Sequence, residues 1–158
     1  MPDDMPVHDH TVYFDSPEDT AAWAVRLAQR LDAGDTILLT GPVGAGKTAL
    51  ARALIQSILP VPEDVPSPTF TLVQQYDTLR GTLVHADLYR LTGADEIEEL
   101  GLADAMQDAI CLIEWPDRLG PYTPHDALAV TLSAGAKDTE RLAELRWSDA
   151  RWTDRVAA

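Results

Sequence analysis

This 158-residue sequence predicts an α/β fold, a mixed, mainly parallel sheet flanked by helices with an antiparallel edge. Three observations carry that prediction. Short apolar runs alternate with helix-patterned segments through the first two thirds of the chain. A glycine-rich turn joins the first of those runs to the helix after it. Two strand-like runs, "ALAVTLS" and "RLAELRW", close the chain around Gly135 as an antiparallel pair.

Each element has a local reason. "SPED" places Ser16 as an N-cap, Pro17 at the first helical position and Asp19 three residues after the cap, so a helix begins there. Ala21, Ala24, Val25, Ala28 and Leu31 continue it at helical spacing. "DAGD", Asp32 to Asp35, is a turn, and "TILLT" is a short buried strand. Lys47 to Leu59, rich in Ala and Leu, reads as a helix stopped by "PVPEDVPSP". The prolines of that loop predict an extended, stiff surface segment. "FTLVQQY" and "TLVHAD" read as strands around a turn at Arg80-Gly81, and "GADEIEELGL" as helical. "AICLIEW" is a buried strand that Pro116 prevents from continuing.

The chain is expected to form one domain over residues 1–158, with 1–10 and 148–158 as peripheral termini. No run approaches the ~18 apolar residues of a membrane span, and the acidic start lacks the order of a signal peptide. Cys111, the single cysteine, cannot form an internal disulfide and sits in an apolar run, so the expected compartment is the cytoplasm. The formal charge of −14 argues against direct binding to nucleic acid or anionic lipid. Between Thr36 and Pro62, however, there is no Asp or Glu, while Lys47 and Arg52 are present. That local sign suits an anionic ligand.

Gly41 to Thr48 reads G-x-x-x-x-G-K-T, a P-loop pattern in its required setting of strand before and helix after. Glycines let backbone N–H groups turn inward to phosphate oxygens, and the following helix offers its N-terminal amides and positive dipole end. Lys47 would reach the outer phosphates, and the Thr48 hydroxyl would ligate Mg2+. The fold expectation sharpens to a P-loop NTPase-like sheet. A second acidic group is needed to hold the metal or orient water, and in open α/β sheets it lies at a strand's carboxyl end. Asp87 ends "TLVHAD" and Glu114 ends "AICLIE", and both fit; Asp87 pairing with Arg90 is the plainer alternative. In "SPTFT", Pro68 stiffens the chain before Thr69, whose hydroxyl is placed to meet a terminal phosphate or its metal. His85 and Trp115 read as structural residues, and "HDH", His8 to His10, as part of a mobile terminus rather than a metal site. A GTPase reads guanine with N-K-x-D; this chain has no Asn, so ATP is the expected nucleotide. An ATPase, a small-molecule kinase and a nucleotide-binding module without hydrolysis all remain open on these residues alone.

"GPVGAGKT", "SPTFTLV", "HADLYRL" and "AICLIEWPDRL" stand in the order and spacing of the bacterial TsaE (YjeE) family, and the resemblance runs from about Ser16 to Trp147. It implies a compact P-loop ATPase, weak alone, required with the proteins TsaB and TsaD to make N6-threonylcarbamoyladenosine (t6A) in tRNA. It also implies that Gly44, Ala45, Gly46, Lys47, Thr48 and Ala49 wrap the phosphates, with Thr48 and Glu114 on Mg2+. Thr69 then falls in a switch-like loop, Asp87 in the catalytic acidic position, and Arg141 near the adenine. Two departures are visible: Pro42-Val43 stands where the family commonly has Asp-Leu, and Ala49 where it has a second Thr. Neither position need give a side chain to the phosphates. tRNA is expected to be reached only through the partners, and no membrane is implied.

Overall fold

A computed structural model describes residues 6–42 and 44–156. Seven strands form one sheet in the order β1-β7-β6-β2-β5-β4-β3. The strands are β1 (His8–Phe14), β2 (Thr36–Thr40), β3 (Val73–Thr78), β4 (Gly81–Asp87), β5 (Ile110–Glu114), β6 (Leu128–Ala134) and β7 (Arg141–Trp147). The central four, β6-β2-β5-β4, run parallel, and β3 on one side and β7 with β1 on the other are antiparallel. The mainly parallel centre agrees with the sequence, and antiparallel pairing closes both edges rather than one.

Helices cover both faces. α1 (Pro17–Ala28) and α2 (Lys47–Ser57) lie on one face, and α5 (Arg151–Val156) packs beside them. Their Trp23, Leu27, Leu50, Leu54 and Trp152 meet Ile37, Leu39, Leu83 and Leu112 of the sheet. On the other face α3 (Glu96–Glu99), α4 (Leu102–Asp108) and a 3-10 segment (Pro116–Tyr122) bring Ile97, Leu102 and Leu119 onto Leu38, Val84, Cys111 and Ile113. The strand alternation of side chains thus divides the core into two layers. Cys111 is fully buried, as its apolar setting predicts, and burial pushes its thiol pKa up to about 12 against a partial offset from a hydrogen bond with Thr36.

Local signals set the element ends. Ser16 caps α1 by accepting from the Asp19 N–H at 3.2 Å. β3 begins at Val73 rather than Phe70, because Leu72 takes a left-handed conformation (φ 68°) and donates its N–H to Pro68 O. The helical stretch after Gly93 divides into α3 and α4 at Gly101. His8 to His10 belong to β1, paired with Trp147 to Leu145, which corrects their reading as a mobile terminus. His8 stacks on Trp147, and among the described residues no three His, Cys, Asp or Glu side chains gather to hold a metal ion. Residues 1–5, Val43 and 157–158 lie outside the described residues, with the expectations placed on them.

Candidate functional site

β2 ends at Thr40 and the chain turns at once through the P-loop into α2. Gly46, the residue before α2, has φ 101°, and Gly44 has φ 86°. Both angles lie where a side chain is strained, so these two positions need glycine for the backbone to curl. The first-turn amides of Lys47, Thr48 and Ala49 have no carbonyl earlier in the helix to bond, and they open the helix's positive end towards the loop. The Ala45 N–H instead closes a turn onto Pro42 O at 3.1 Å.

A cavity of about 390 Å³ lies at this helix end, lined by Gly44, Gly46, Lys47, Thr48 and Ala49 from the loop side. Thr69, Asp87, Tyr89, Glu114 and Trp115 form the opposite wall. Parallel pairing of β4 with β5 sets Asp87 beside Glu114 in register, both at carboxyl ends and both buried. The Thr48 hydroxyl donates to Glu114 Oε1 at 2.9 Å. Asp87 accepts from the Thr69 hydroxyl at 3.1 Å through Oδ2 and from the Tyr89 N–H at 3.0 Å through Oδ1. The Leu72 carbonyl accepts from the Asp87 N–H at 2.9 Å, so the "SPTFT" turn is fastened to the strand that carries Asp87. Arg90 lies over the Phe70 ring at 4.5 Å, and the plainer alternative, its pairing with Asp87, is not found among the described residues.

Lys47 is 6% exposed, and its ammonium donates to the carbonyls of Gly41 and Pro42. It also sits 4.2 Å from the centre of the Trp115 ring, a cation–π contact. Burial lowers the Lys47 pKa, opposed by the carboxylates of Glu114 and Asp87. Trp115 packs against one layer of the core, in keeping with its structural reading, and also forms part of the cavity wall; Tyr89 packs against it with ring centroids 4.9 Å apart. Its φ of 58° is unusual for a non-glycine residue, all the more before a proline. Such conformations cost about 1–3 kcal/mol and gather at functional sites.

A second cavity of about 400 Å³ shares Gly44, Gly46 and Ala49 with the first. Ala45, the α1 start (Pro17, Thr20, Ala21) and the β6–β7 connection (Asp138, Thr139, Arg141) complete it. Arg141 donates from Nη1 to Asp138 O and to Glu140 O, each at 2.7 Å, so that nitrogen is engaged within its own hairpin. All the site residues named from sequence thus line one of two cavities that meet at the P-loop.

The family model described as "Threonylcarbamoyl adenosine biosynthesis protein TsaE" matches residues 14–143. The chain belongs to the TsaE family. It is 38% identical to a tRNA threonylcarbamoyladenosine biosynthesis protein TsaE of Rickettsia conorii, over 79% of this chain and 70% of that protein. The corresponding protein of Aquifex aeolicus is 40% identical over 70% of this chain and 79% of its own length. A Rickettsia felis relative is 43% identical across 63% of this chain, and the match spans 58% of that relative's length. Among solved structures, that of Bacillus subtilus YdiB superposes with a TM-score of 0.77 at 26% identity, covering 96% of this chain and 94% of its own.

His85, the first residue of the "HADLYRL" motif and read from sequence as structural, is brought by the fold against Glu114. It is fully buried, and its Nε2 lies 2.6 Å from Glu114 Oε2. A signal existed for it: His85 and Asp87 are two residues apart on one strand, so they share a face. Tyr89 carries no comparable signal, because it follows the strand and its direction depends on the turn.

Proposed function

We propose that this TsaE-family protein binds ATP with Mg2+ in the cavity between the P-loop and Trp115, hydrolyses it slowly, and thereby serves t6A formation in tRNA together with TsaB and TsaD. The observation that carries the reading is the Thr48 Oγ1–Glu114 Oε1 pair at 2.9 Å, beside a buried ammonium and in register with Asp87. An empty structural core would not gather two carboxylates and an ammonium out of water, because each costs several kcal/mol to bury unless compensated.

The donor set suits the ion. Thr48 and Glu114 offer hard oxygens, and Mg2+ takes one or two protein oxygens while phosphates and water fill its remaining positions. When bound, Mg2+ offsets negative charge on the phosphate oxygens. Lys47 supplies the fixed positive charge, and the first-turn amides of α2 meet the phosphates. Asp87, held by Thr69 and the Tyr89 amide, orients the attacking water. The second cavity, shared through Gly44 and Gly46, takes the base and sugar, with Arg141 at its rim.

Slow hydrolysis has a physical reason. No arginine lines the phosphate cavity among the described residues, so Lys47 is its sole cationic side chain. Arginine supplied by a partner accelerates hydrolysis in other P-loop proteins by about 10³–10⁵-fold. That lack favours dependence on a partner, the role this reading gives to TsaB and TsaD.

Single-turnover experiments with γ-labelled ATP test the reading. Label is expected in free phosphate, faintly with this protein alone and strongly with TsaB and TsaD present. Label moving to a small acceptor would identify a kinase instead. Intact ATP that stays bound under both conditions would identify a binding module.

A further inference from the structure

Among the described residues, His85 has one ring nitrogen engaged and one without a hydrogen-bond partner. It is fully buried; Nε2 lies 2.6 Å from Glu114 Oε2, and Nδ1 is the unpartnered nitrogen. At that separation a carboxylate requires a hydrogen on Nε2, since a lone pair there would repel it. A position that served packing alone would be filled more cheaply by Leu or Phe, which bury no polar atom.

Glu114 explains the choice. Its Oε1 accepts from Thr48, its Oε2 faces His85, and the residue is 1% exposed. The terminal torsion of a glutamate is broad, so an untethered carboxylate plane turns easily. We infer that His85 is a positioning residue: its Nε2–H holds Oε2 of Glu114, which leaves Oε1 aimed beside Thr48 at the metal side of the phosphate cavity. β4 thereby does two things from one face, since Asp87 stands two residues beyond His85 and beside Glu114 in the ladder. The inference rests on the proposed Mg2+–ATP site and assigns it a buried second support. Hydrogen-bond partners of metal-ligating groups commonly set metal affinity by about 10–100-fold.

Three variants test this. His85→Leu removes the donor, His85→Gln returns an N–H at nearly the same reach, and His85→Asn keeps the amide but falls short. Each is checked for a cooperative melt. Calorimetry with a non-hydrolysable ATP analogue then gives the Mg2+ concentration for half-maximal binding. Mn2+ electron paramagnetic resonance reads the ion directly. The Leu and Asn variants are expected to need about ten-fold more Mg2+ or Mn2+, with analogue affinity in EDTA unchanged, and Gln to stay within about three-fold of wild type. If the Leu variant does not fold, the Gln–Asn contrast decides. Wild-type metal dependence in Asn or Leu would overturn the role, as would failure of Gln to rescue. A wild-type protein that bound no analogue at all would remove the nucleotide site itself, and the role of His85 with it.

Discussion

At Lys47, burial lowers the ammonium's pKa because desolvation outweighs the attraction of Glu114 and Asp87. The unfolded chain therefore binds that proton more tightly than the folded one, and the charge costs stability at neutral pH. The cost is relieved as pH rises through the folded value towards 10.5. Lys47→Met keeps the stem and discards the charge. The nucleotide-free variant should melt no lower than wild type at pH 7, with any advantage shrinking as pH is raised. Its ATP affinity should fall by on the order of 100-fold, since truncating one member of a desolvated charge pair costs about 2–5 kcal/mol. Calorimetry and thermal melts check both halves. Asp87 behaves differently, because its oxygens are engaged by Thr69 and the Tyr89 amide rather than by a cation. Asp87→Asn should leave nucleotide affinity within about three-fold and lower phosphate release by about 100-fold or more, the range of a lost proton acceptor. A fall in affinity equal to the fall in rate would remove Asp87 from the reaction. At this scale the P-loop, Asp87 and Glu114 were legible because each depends on a neighbour in sequence: a glycine run, or an acid ending an apolar run. Trp115 reads as structural from its apolar character, while its place in the cavity wall and its left-handed backbone angle are seen only in the fold.

Between elements, the contacts that fasten α5 are the ones sequence reading could not reach. The helix has six residues, too few for a periodic signal, yet Trp152 is fully buried and donates from its indole N–H to Asp126 O at 2.8 Å. Arg155 and Arg151 both reach the buried Asp35, at the turn before β2, and Arg151 also meets Asp126 and Asp149. These partners lie up to 120 residues apart, and nothing local announces them. β1 was missed for a related reason. As an edge strand it exposes most of "HDHTVYF" and shows little apolar alternation, and its identity comes from pairing with β7. By contrast, β5 is buried throughout and β2 up to its last residue, Thr40, and both read as plain apolar runs. Removing the α5 anchor should be costly: Trp152→Ala is expected to destabilise the protein by about 3–5 kcal/mol, the range for large aromatic truncations in a core. A denaturant midpoint within error of wild type would show α5 to be a loose appendage. Acid should weaken the same clasp. The Arg151 side chain and its own amide hold the Asp149 pKa below 3.8, so the stability this group contributes is present above that value and lost as pH falls through the folded pKa.

For the molecule as a whole, the proposed role in tRNA modification meets a net charge of −14. Nucleic-acid affinity comes chiefly from Lys and Arg displacing counterions at phosphates, and each neutralised phosphate steepens the dependence on salt. This chain has 12 such residues against 26 acids, and two of its arginines, Arg151 and Arg155, are committed to carboxylates in the α5 clasp. Lys47 is buried at the wall of the proposed phosphate cavity and is unavailable to an RNA backbone. Binding to tRNA by this protein alone should therefore be undetectable at micromolar protein and physiological salt, with or without ATP. In the proposed complex, TsaB and TsaD supply the RNA contact, so a shift of labelled tRNA should appear only when they are added. ATP should alter that shift through the phosphate cavity, where "SPTFT" touches Asp87 through Thr69 and carries Phe70, 81% exposed, on its outer side. A loop that joins the proposed reacting centre to an exposed aromatic is suited to report nucleotide state to a partner. Gel-shift titrations with the three proteins added singly and together decide the matter. Tight, salt-sensitive tRNA binding by the isolated chain would mean that its charge is offset by a basic surface these arginines do not provide, and the indirect route to RNA would be wrong.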